Sequence, residues 1–216
     1  MQRSFDLVSA DNSCIQIAKD SWLLKGFATA RAATLLRHIA AVTAEAPLRH
    51  QVTARGHNIA VAMSNCGRYG WLSDQHGYRY DSHDPQTHQP WPSMPEVFCE
   101  LASAAARAAG YDRFAAQACL INRYQRGQGM GLHQDRDEKD LSAPIVSVSL
   151  GAPILFLFGG LRRQDKPRRW LLEHGDVVVW GGASRLAYHG VAPLGRNAEH
   201  PLTGPVRYNL TFRRVT

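Results

Sequence analysis

The chain has 216 residues and a mass of 24.0 kDa, which fits one domain with a substantial core. Its net charge of +7 and pI near 9.5 are compatible with a polyanionic partner, and no apolar run is long enough to cross a bilayer. A signal-peptide pattern is absent and the four cysteines are widely spaced, so we expect a soluble, cytoplasmic protein with buried reduced thiols rather than a zinc site or a disulfide framework.

The N-terminal part of the chain is expected to be irregular at first and then helical. Residues 1–20 are polar and show no periodic pattern, so we expect an irregular segment ahead of a single domain over residues 21–216. Ser21–Leu24 fits a short strand, and an alanine-rich helix is expected near residues 29–45. A second helix is expected near residues 95–109, where a proline suits the first turn and a glycine follows the last.

The segment between the two helices, residues 50–94, is rich in Gly, His, Tyr, Trp and Pro. Only residues 59–63 have the pattern of a strand. A long irregular stretch inside a compact domain is typical of a functional loop. We therefore predict that this segment is a binding lid.

From residue 118 onward the pattern changes to short β-type runs separated by turns that contain Gly and Pro. This pattern predicts an α+β fold that is mainly β, a sandwich or barrel with the helices braced against one sheet. The predicted strands cover residues 119–124, 145–150, 154–158, 170–172, 177–180 and 206–213.

The last predicted strand separates polar from apolar side chains, because successive residues alternate between the two faces of a strand. One face carries Arg207, Asn209, Thr211 and Arg213, and the other carries Tyr208, Leu210 and Phe212. Burying a guanidinium without a counter-charge is costly, and its planar fork matches a carboxylate. Two arginines on one buried face therefore indicate a small dianionic ligand.

Three further residues form a candidate metal site. His133 and Asp135 follow a predicted strand and the glycine-rich loop at residues 127–131, and residues two positions apart at the end of a strand point the same way. With His189 they supply two imidazoles and one carboxylate, the set that binds iron(II) and leaves positions open for a co-substrate and dioxygen. A second dyad, His174 and Asp176, precedes an apolar strand and is interpreted as a structural turn. His189 alone would be interpreted as a turn histidine, and only its combination with the first dyad favours a ligand.

These residues lie within a larger set of motifs. The set comprises Asn122-Arg-Tyr124, His133-Gln-Asp135-Arg-Asp137 with Glu138, Ala143-Pro-Ile-Val-Ser-Val-Ser-Leu-Gly151, Glu173-His-Gly-Asp-Val-Val-Val-Trp-Gly-Gly182, Tyr188-His-Gly190 and Arg207-Tyr-Asn-Leu-Thr-Phe-Arg213. It resembles the AlkB family of iron(II)- and 2-oxoglutarate-dependent dioxygenases, which repair alkylated nucleic acid bases, and is most similar to the bacterial type. The resemblance covers about residues 50–214, and residues 1–20 match nothing in it.

The resemblance implies a double-stranded β-helix, or jelly-roll, with supporting N-terminal helices and a nucleotide-recognition lid at residues 50–94. It implies iron(II) bound by His133, Asp135 and His189, with dioxygen and 2-oxoglutarate as co-substrates. Arg207 is expected to bind the distal carboxylate of 2-oxoglutarate, and Arg213 the carboxylate on the metal side. The whole expected 2-oxoglutarate site consists of Asn122, Arg123, Tyr124, Arg207, Tyr208, Asn209, Leu210, Thr211, Phe212 and Arg213.

The resemblance also implies a nucleotide site in the lid and beside the metal. Trp71 is expected to stack on the base, and Tyr78, Arg79 and Tyr80 to reach phosphate. Asp137 is expected to contact substrate, because an anion in a dry pocket would select bases such as 1-methyladenine and 3-methylcytosine, which are cationic. Arg163, in a basic hairpin segment, is expected near the substrate, although a solvated turn is the default interpretation of that segment.

The expected partner is a nucleic acid, either single-stranded DNA or DNA with a flipped base, or RNA, and the expected protein is a monomer. Two rival interpretations remain open at this point. The first is another enzyme on the same scaffold, either a small-molecule or protein hydroxylase or an RNA-directed demethylase. The second is a non-catalytic jelly-roll module that binds nucleic acid, for which a buried dicarboxylate site would have no purpose.

Overall fold

The computed structural model describes residues 13–216, and no helix in that range is long and apolar enough to span a bilayer. Two helices and fourteen strands follow one another along this range. They are β1 (Cys14–Ala18), β2 (Ser21–Leu24), α1 (Ala32–Glu45), β3 (Arg49–Val52), β4 (Asn58–Gly67), β5 (Gly70–Asp74), β6 (Gly77–Asp81), α2 (Glu96–Ala108), β7 (Ala118–Tyr124), β8 (Met130–His133), β9 (Ile145–Gly151), β10 (Ile154–Phe158), β11 (Arg168–Leu172), β12 (Val177–Trp180), β13 (His189–Val191) and β14 (Arg207–Arg213).

Most strands belong to two antiparallel sheets. The larger sheet has the order β1-β2-β12-β9-β14-β7-β4-β3, and the smaller has the order β11-β10-β13-β8. Apolar residues from both sheets form one shared core, including Leu120 and Met63 from the larger sheet and Phe156 from the smaller. This arrangement is a double-stranded β-helix, so the predicted fold class is confirmed.

The two helices cover the outer face of the larger sheet. Leu35 and Ile39 of α1 and Leu101 of α2 are buried in a second core together with the apolar face of β14. The predicted helices are confirmed, with α1 preceded by a 3-10 turn at Thr29–Arg31 and α2 beginning directly after Pro95. The helices therefore brace one side of the sheet, and the other side is left for the site.

Two predictions about the N-terminal half are corrected by the structure. Residues 50–94 are more ordered than expected, because β4 is a ten-residue strand that pairs with β7 inside the larger sheet. Only the β5–β6 hairpin forms a separate two-stranded sheet in this segment. Of the N-terminal segment, residues 1–12 lie outside the described range, and the rest contains β1, an edge strand paired with β2. Beyond residues 59–63, the composition of both segments did not predict these strands, because they are stabilised by pairing with neighbouring strands of the sheet.

All four cysteines are free, as expected. Cys66 and Cys119 are buried and lie opposite each other on β4 and β7, whereas Cys99 is half-buried. Cys14 is exposed, so the expectation that every thiol is buried is wrong for this residue.

Candidate active site

A cavity of about 620 Å³ opens between the two sheets, and the β5–β6 hairpin forms part of its wall. His133, Asp135 and His189 line the cavity, and so do both Arg207 and Arg213 and the lid aromatics Trp71 and Tyr78. The residues of the candidate metal site, the paired arginines and two lid aromatics therefore share a single space.

The smaller sheet and the loop after β8 bring the two histidines and the aspartate together. His133 ends β8 and lies directly across from His189, the first residue of β13. The distance from His133 Nε2 to Asp135 Oδ1 is 3.6 Å, and that from His189 Nε2 to Asp135 Oδ2 is 3.7 Å. Within residues 13–216 these three form the one group of histidine, cysteine or acidic residues with the spacing of a metal site, their ligand atoms lying within 4.8 Å of one another.

The hydrogen bonds of the two imidazoles leave the correct nitrogen of each ring available for a metal. His133 Nδ1 lies 2.8 Å from the carbonyl oxygen of Gly131, and His189 Nδ1 lies 3.0 Å from that of Ala187. A carbonyl oxygen only accepts, so each Nδ1 carries the proton and each Nε2 presents a lone pair toward Asp135. Hydrogen bonds from the ring N–H to a backbone carbonyl orient histidine ligands in metalloproteins, so the donor set fits iron(II).

The charges around Asp135 favour metal binding as well. Burial and, next, the neighbouring His133 lower the pKa of His189 to about 4, so the ring is neutral. Burial alone would raise the pKa of Asp135, but the guanidinium of Arg213 and the two imidazoles hold it well below its ordinary value. Two neutral imidazoles and one carboxylate are the forms in which these side chains bind a cation.

Arg207 occupies the other end of the cavity and lacks a counter-charge. Its side chain is 2% exposed, and Nη2 donates to Ser149 Oγ at 3.0 Å. Its Nε and Nη1 are buried and have no hydrogen-bond partner among residues 13–216. The centre of the Tyr124 ring lies 5.0 Å from the guanidinium carbon, a cation–π contact with a neutral partner. A buried cation with two free donors fits a carboxylate ligand.

A row of polar side chains runs between Arg207 and the metal site. Asn122 Nδ2 donates to Asn209 Oδ1, Thr211 Oγ1 donates to the same oxygen, and Asn209 Nδ2 donates to Ser147 Oγ at 2.8 Å. Ser147 and Ser149, on β9, were not predicted. Their signal in the sequence was an alternation of serine with apolar residues inside a buried strand.

Arg213 differs from Arg207, because carboxylates of the chain already neutralise it. Its Nη2 donates to Asp135 Oδ2 at 2.6 Å, and its Nε lies 3.2 Å from Glu138 Oε1. Arg213 therefore needs no ligand anion to balance its charge, and its contact with the metal-side carboxylate of 2-oxoglutarate stays a prediction. This arginine holds the carboxylate of the candidate metal ligand.

Four residues of the expected 2-oxoglutarate site point away from the cavity. Tyr208, Leu210 and Phe212 pack in the core beneath the helices, as the alternation of β14 predicted. Arg123 lies opposite Tyr208 across the β7–β14 pair and shares its face. Because a strand alternates, the side chains of these four residues do not contact a ligand in the cavity.

At the mouth of the cavity the β5–β6 hairpin presents a stacked aromatic pair. The rings of Trp71 and Tyr78 are 5.6 Å apart and nearly parallel, and 53% of Tyr78 is exposed. Trp71 Nε1 donates to Asp137 Oδ2 at 2.9 Å. Asp137 is exposed in the loop after β8, so the expected dry pocket around its carboxylate is not preformed. It pairs with Trp71 rather than with a neighbouring cation of its own loop.

Arg79 and Tyr80 do not take the positions expected of phosphate contacts. Arg79 lies on the opposite face of the hairpin from Trp71 and forms an ion pair with Asp74. Burial raises the pKa of the Tyr80 hydroxyl well above its ordinary value, and this hydroxyl donates to Glu138 Oε1 at 2.6 Å. The hairpin is thereby fastened to the network that holds Asp135. Arg163, by contrast, lines the cavity and lies over the ring of Tyr188 at 5.8 Å.

The second His-x-Asp dyad is structural, as predicted. Asp176 accepts hydrogen bonds from the backbone N–H groups of Gly26 and Glu173 and pairs with Lys25. His174 Nδ1 accepts from the backbone of Gly151. Both side chains therefore accept hydrogen bonds from backbone N–H groups and connect neighbouring loops.

Glu138 is expected to be a main contributor to the stability of the site. Arg185 Nη2 donates to its carboxylate at 2.8 Å, and the two side chains are 4% and 1% exposed. We expect Glu138→Gln to lower the free energy of unfolding by about 3 kcal/mol, because it leaves Arg185 buried without a full counter-charge. Denaturant unfolding of the purified variant measures this change.

The matched control for Glu138→Gln is Glu199→Gln. Glu199 pairs with Arg126 on the surface, where the two side chains are 62% and 49% exposed. This control is expected to change the free energy of unfolding by less than about 1 kcal/mol. Equal effects of the two substitutions would contradict the assignment of Glu138 to a buried network.

Two imidazoles, one carboxylate and a free buried arginine inside a double-stranded β-helix define a non-haem iron oxygenase that uses a carboxylate co-substrate. Comparisons with known proteins agree with this class. The family model of the 2OG-Fe(II) oxygenase superfamily matches residues 21–213. The alpha-ketoglutarate-dependent dioxygenase AlkB of Escherichia coli (strain K12) is 54% identical over 199 residues, which cover 92% of each chain.

More distant relatives agree as well. The human nucleic acid dioxygenase ALKBH1 is 33% identical over 143 residues, which cover 63% of this chain and 36% of the relative. The solved structure of OsALKBH1 matches with a TM-score of 0.81 and 28% identity, covering 93% of this chain and 99% of that one. The chain belongs to the AlkB family of the 2OG-Fe(II) oxygenase superfamily. It is a dioxygenase that uses iron(II), 2-oxoglutarate and dioxygen.

Proposed function

We propose that this protein removes methyl groups oxidatively from N-alkylated bases, chiefly 1-methyladenine and 3-methylcytosine, in DNA that is single-stranded or has a flipped base. The observation that carries the proposal is the continuous cavity from Arg207, whose Nε and Nη1 have no partner among residues 13–216, past His133, Asp135 and His189, to the Trp71 stack. The name of the human relative, nucleic acid dioxygenase, supports a nucleic acid substrate.

The residues of the cavity divide the work of holding the reactants. His133, Asp135 and His189 hold iron(II), and Arg207 binds the distal carboxylate of 2-oxoglutarate. Iron(II), 2-oxoglutarate and dioxygen, once held there, would supply the oxidation of the N-methyl group. The products would be succinate, carbon dioxide and a hydroxymethylated base that releases formaldehyde. Arg213 contributes indirectly, because it fixes the orientation of Asp135 by two donated hydrogen bonds.

The hairpin β5–β6 and the loop after β8 receive the base. Trp71 offers an aromatic surface for stacking, and Arg163, an exposed residue that also lines the cavity, is available for a phosphate or a polar edge. The pairing edge of a base is hidden in a duplex, so the target is flipped out or already unpaired. Tyr78 extends the stacking surface, whereas Arg79 and Tyr80 maintain the shape of the hairpin.

Asp137 gives the site its preference for cationic bases. Bases methylated at N1 of adenine or N3 of cytosine carry a positive charge, and a base stacked on Trp71 would cover the carboxylate and exclude water from it. The hydrogen bond from Trp71 Nε1 keeps the carboxylate at the stacking surface. Neutral lesions such as 1-methylguanine would gain nothing from this charge.

Asp137→Asn tests the proposal, because it removes the charge and keeps an oxygen that can accept from Trp71. We expect kcat/KM for a 1-methyladenine oligonucleotide to fall about tenfold, equal to roughly 1.4 kcal/mol, and that for 1-methylguanine to change less than about twofold. Formaldehyde and succinate release from singly methylated oligonucleotides measures both. Equal losses on the two lesions would contradict the role of Asp137, and no formaldehyde from any methylated base with wild type would contradict the function.

The setting of this activity is proposed on the same grounds. The free thiols fit a reducing compartment, so this is proposed to be a cytoplasmic enzyme that acts as a monomer on exposed strands. Light scattering of the purified protein measures the monomer directly.

A further inference from the structure

The turn between β10 and β11 and the adjoining edge strand carry a cluster of basic residues that the proposed site uses only in part. The cluster consists of Arg162, Arg163, Lys166, Arg168 and Arg169, and we call it the basic hairpin. Asp165 is the single acidic residue between Ile154 and Leu172, and its carboxylate turns back to pair with Arg162. The other four cations have no carboxylate within 4.0 Å among residues 13–216.

The basic hairpin begins at the mouth of the cavity and continues away from it. Arg163 lines the cavity. Lys166 is exposed in the turn, and Arg168 and Arg169 are exposed on β11, which is an edge strand of the smaller sheet. The guanidinium of Arg168 lies 4.7 Å from the ring centre of Trp170, which supports the side chain from below. Because successive residues of a strand alternate, Arg168 and Arg169 lie on opposite faces of this edge, so uncompensated positive charge stands on both sides of the edge strand that follows Arg163.

Protection of a sheet edge is the ordinary explanation of positive charge on an edge strand, because lysine and arginine discourage pairing with another chain. The other sheet edges in residues 13–216 do not share the feature. Edge strands β1 and β8 contain no lysine or arginine, and β3 contains only Arg49, which pairs with Asp84. The charge is therefore concentrated at the edge beside the cavity mouth, where a strand of nucleic acid would leave the site.

We propose that the basic hairpin binds the phosphates of the substrate strand that flank the target nucleotide, with Lys166, Arg168 and Arg169 extending the contact beyond Arg163. This inference rests on the proposed function and adds a surface to it. Contacts of this kind contribute affinity that falls with salt and carries no sequence preference. They act on KM for long substrates and leave the chemical step unchanged.

The test compares wild type with the variant Lys166→Gln/Arg168→Gln/Arg169→Gln, each loaded with iron(II) and 2-oxoglutarate. A methylated trinucleotide is too short to reach beyond Arg163, so its kcat/KM is expected to change less than about twofold. For a methylated oligonucleotide of roughly 15 nucleotides, KM is expected to rise at least about tenfold at low salt with kcat unchanged. The slope of log KM against log salt is expected to fall by about 2.

The matched control removes the same charge from α1, α2 and the 3-10 turn that leads into α1. Arg31→Gln/Arg37→Gln/Arg107→Gln changes three exposed arginines there, of which Arg31 lies 3.9 Å from Glu100, and is expected to behave as wild type on both substrates. A second control, Arg168→Lys/Arg169→Lys, keeps the charge and is expected to retain KM within about threefold. Thermal unfolding of each variant verifies that it is folded.

Three outcomes would overturn the inference. The first is an equal loss of kcat/KM on the short and long substrates in the hairpin variant. The second is an equal rise of KM for the long substrate in the helix control, and the third is an unchanged KM and salt slope in the hairpin variant. If the wild-type protein demethylates none of the substrates, fluorescence anisotropy with an unmethylated oligonucleotide still measures binding to the basic hairpin. In that case loss of binding in the hairpin variant alone supports the surface while the proposed function fails.

Discussion

Replacing Arg207 with methionine is expected to weaken 2-oxoglutarate binding by at least about 100-fold, equal to roughly 3 kcal/mol, without destabilising the protein measured in the absence of 2-oxoglutarate. Arg207 is buried, and two of its donors have no partner among residues 13–216. The desolvation of its guanidinium therefore costs free energy in the folded protein, and only a bound anion offsets that cost. Methionine fills similar space without that charge. Thermal unfolding with and without 2-oxoglutarate measures both effects, and the shift produced by 2-oxoglutarate is expected to disappear in the variant.

Arg123→Met is the matched control for this prediction. Arg123 also has a buried Nε with no partner among residues 13–216, but it lies on the other face of β7. Its replacement is expected to leave the 2-oxoglutarate-induced shift intact. A shift that persists in Arg207→Met, or one that disappears in Arg123→Met, would contradict the assignment of the co-substrate to the cavity face.

Asp135→Asn is expected to reduce formaldehyde release by at least about 10³-fold, equal to roughly 4 kcal/mol of activation free energy. Asp135 carries the negative charge that the two imidazoles and Arg213 face, so its replacement weakens iron(II) binding. Arg213 then keeps Glu138 as its carboxylate partner. Iron(II) affinity from competition with a chelator, measured beside the rate, separates loss of the metal from loss of the fold.

The second dyad of the sequence offers the control for Asp135→Asn. Asp176→Asn changes the same residue type in the same His-x-Asp pattern, but its carboxylate accepts backbone hydrogen bonds and pairs with Lys25. This variant is expected to unfold at a lower temperature and to bind iron(II) like wild type. Loss of iron binding in Asp176→Asn with retention in Asp135→Asn would reverse the interpretation of the two dyads.

The sequence was sufficient for those parts of the site that depend on strand periodicity. The alternation in β14 predicted which face of the strand carries Arg207 and Asn209, and the structure has that arrangement. The convergence of His133 and Asp135 with His189 was inferred from motif spacing, and the two histidines are indeed cross-strand neighbours. Period-two patterns predict side-chain direction well, because backbone geometry alone fixes it.

Features that depend on which strands pair could not be predicted. Glu138 is a loop residue in the sequence, and only the fold brings it between Arg185 and Arg213 and beneath Tyr80. The ion pairing of Arg213 could not be predicted for the same reason, since its counter-charge comes from a loop that is distant in the sequence. In the same way only residues 59–63 of β4 were predicted, because pairing with β7 rather than composition extends this strand to Asn58–Gly67.

The central claim is that His133, Asp135 and His189 hold iron(II) beside a 2-oxoglutarate anchored by Arg207. Anaerobic titration of iron(II) into the protein with 2-oxoglutarate tests it most directly, because chelation of the metal by the keto acid produces a visible charge-transfer band. The account predicts a band that saturates at one iron per chain in wild type and does not form in Asp135→Asn. A wild-type protein without the band, or an Asp135→Asn protein with the full band, would contradict the account.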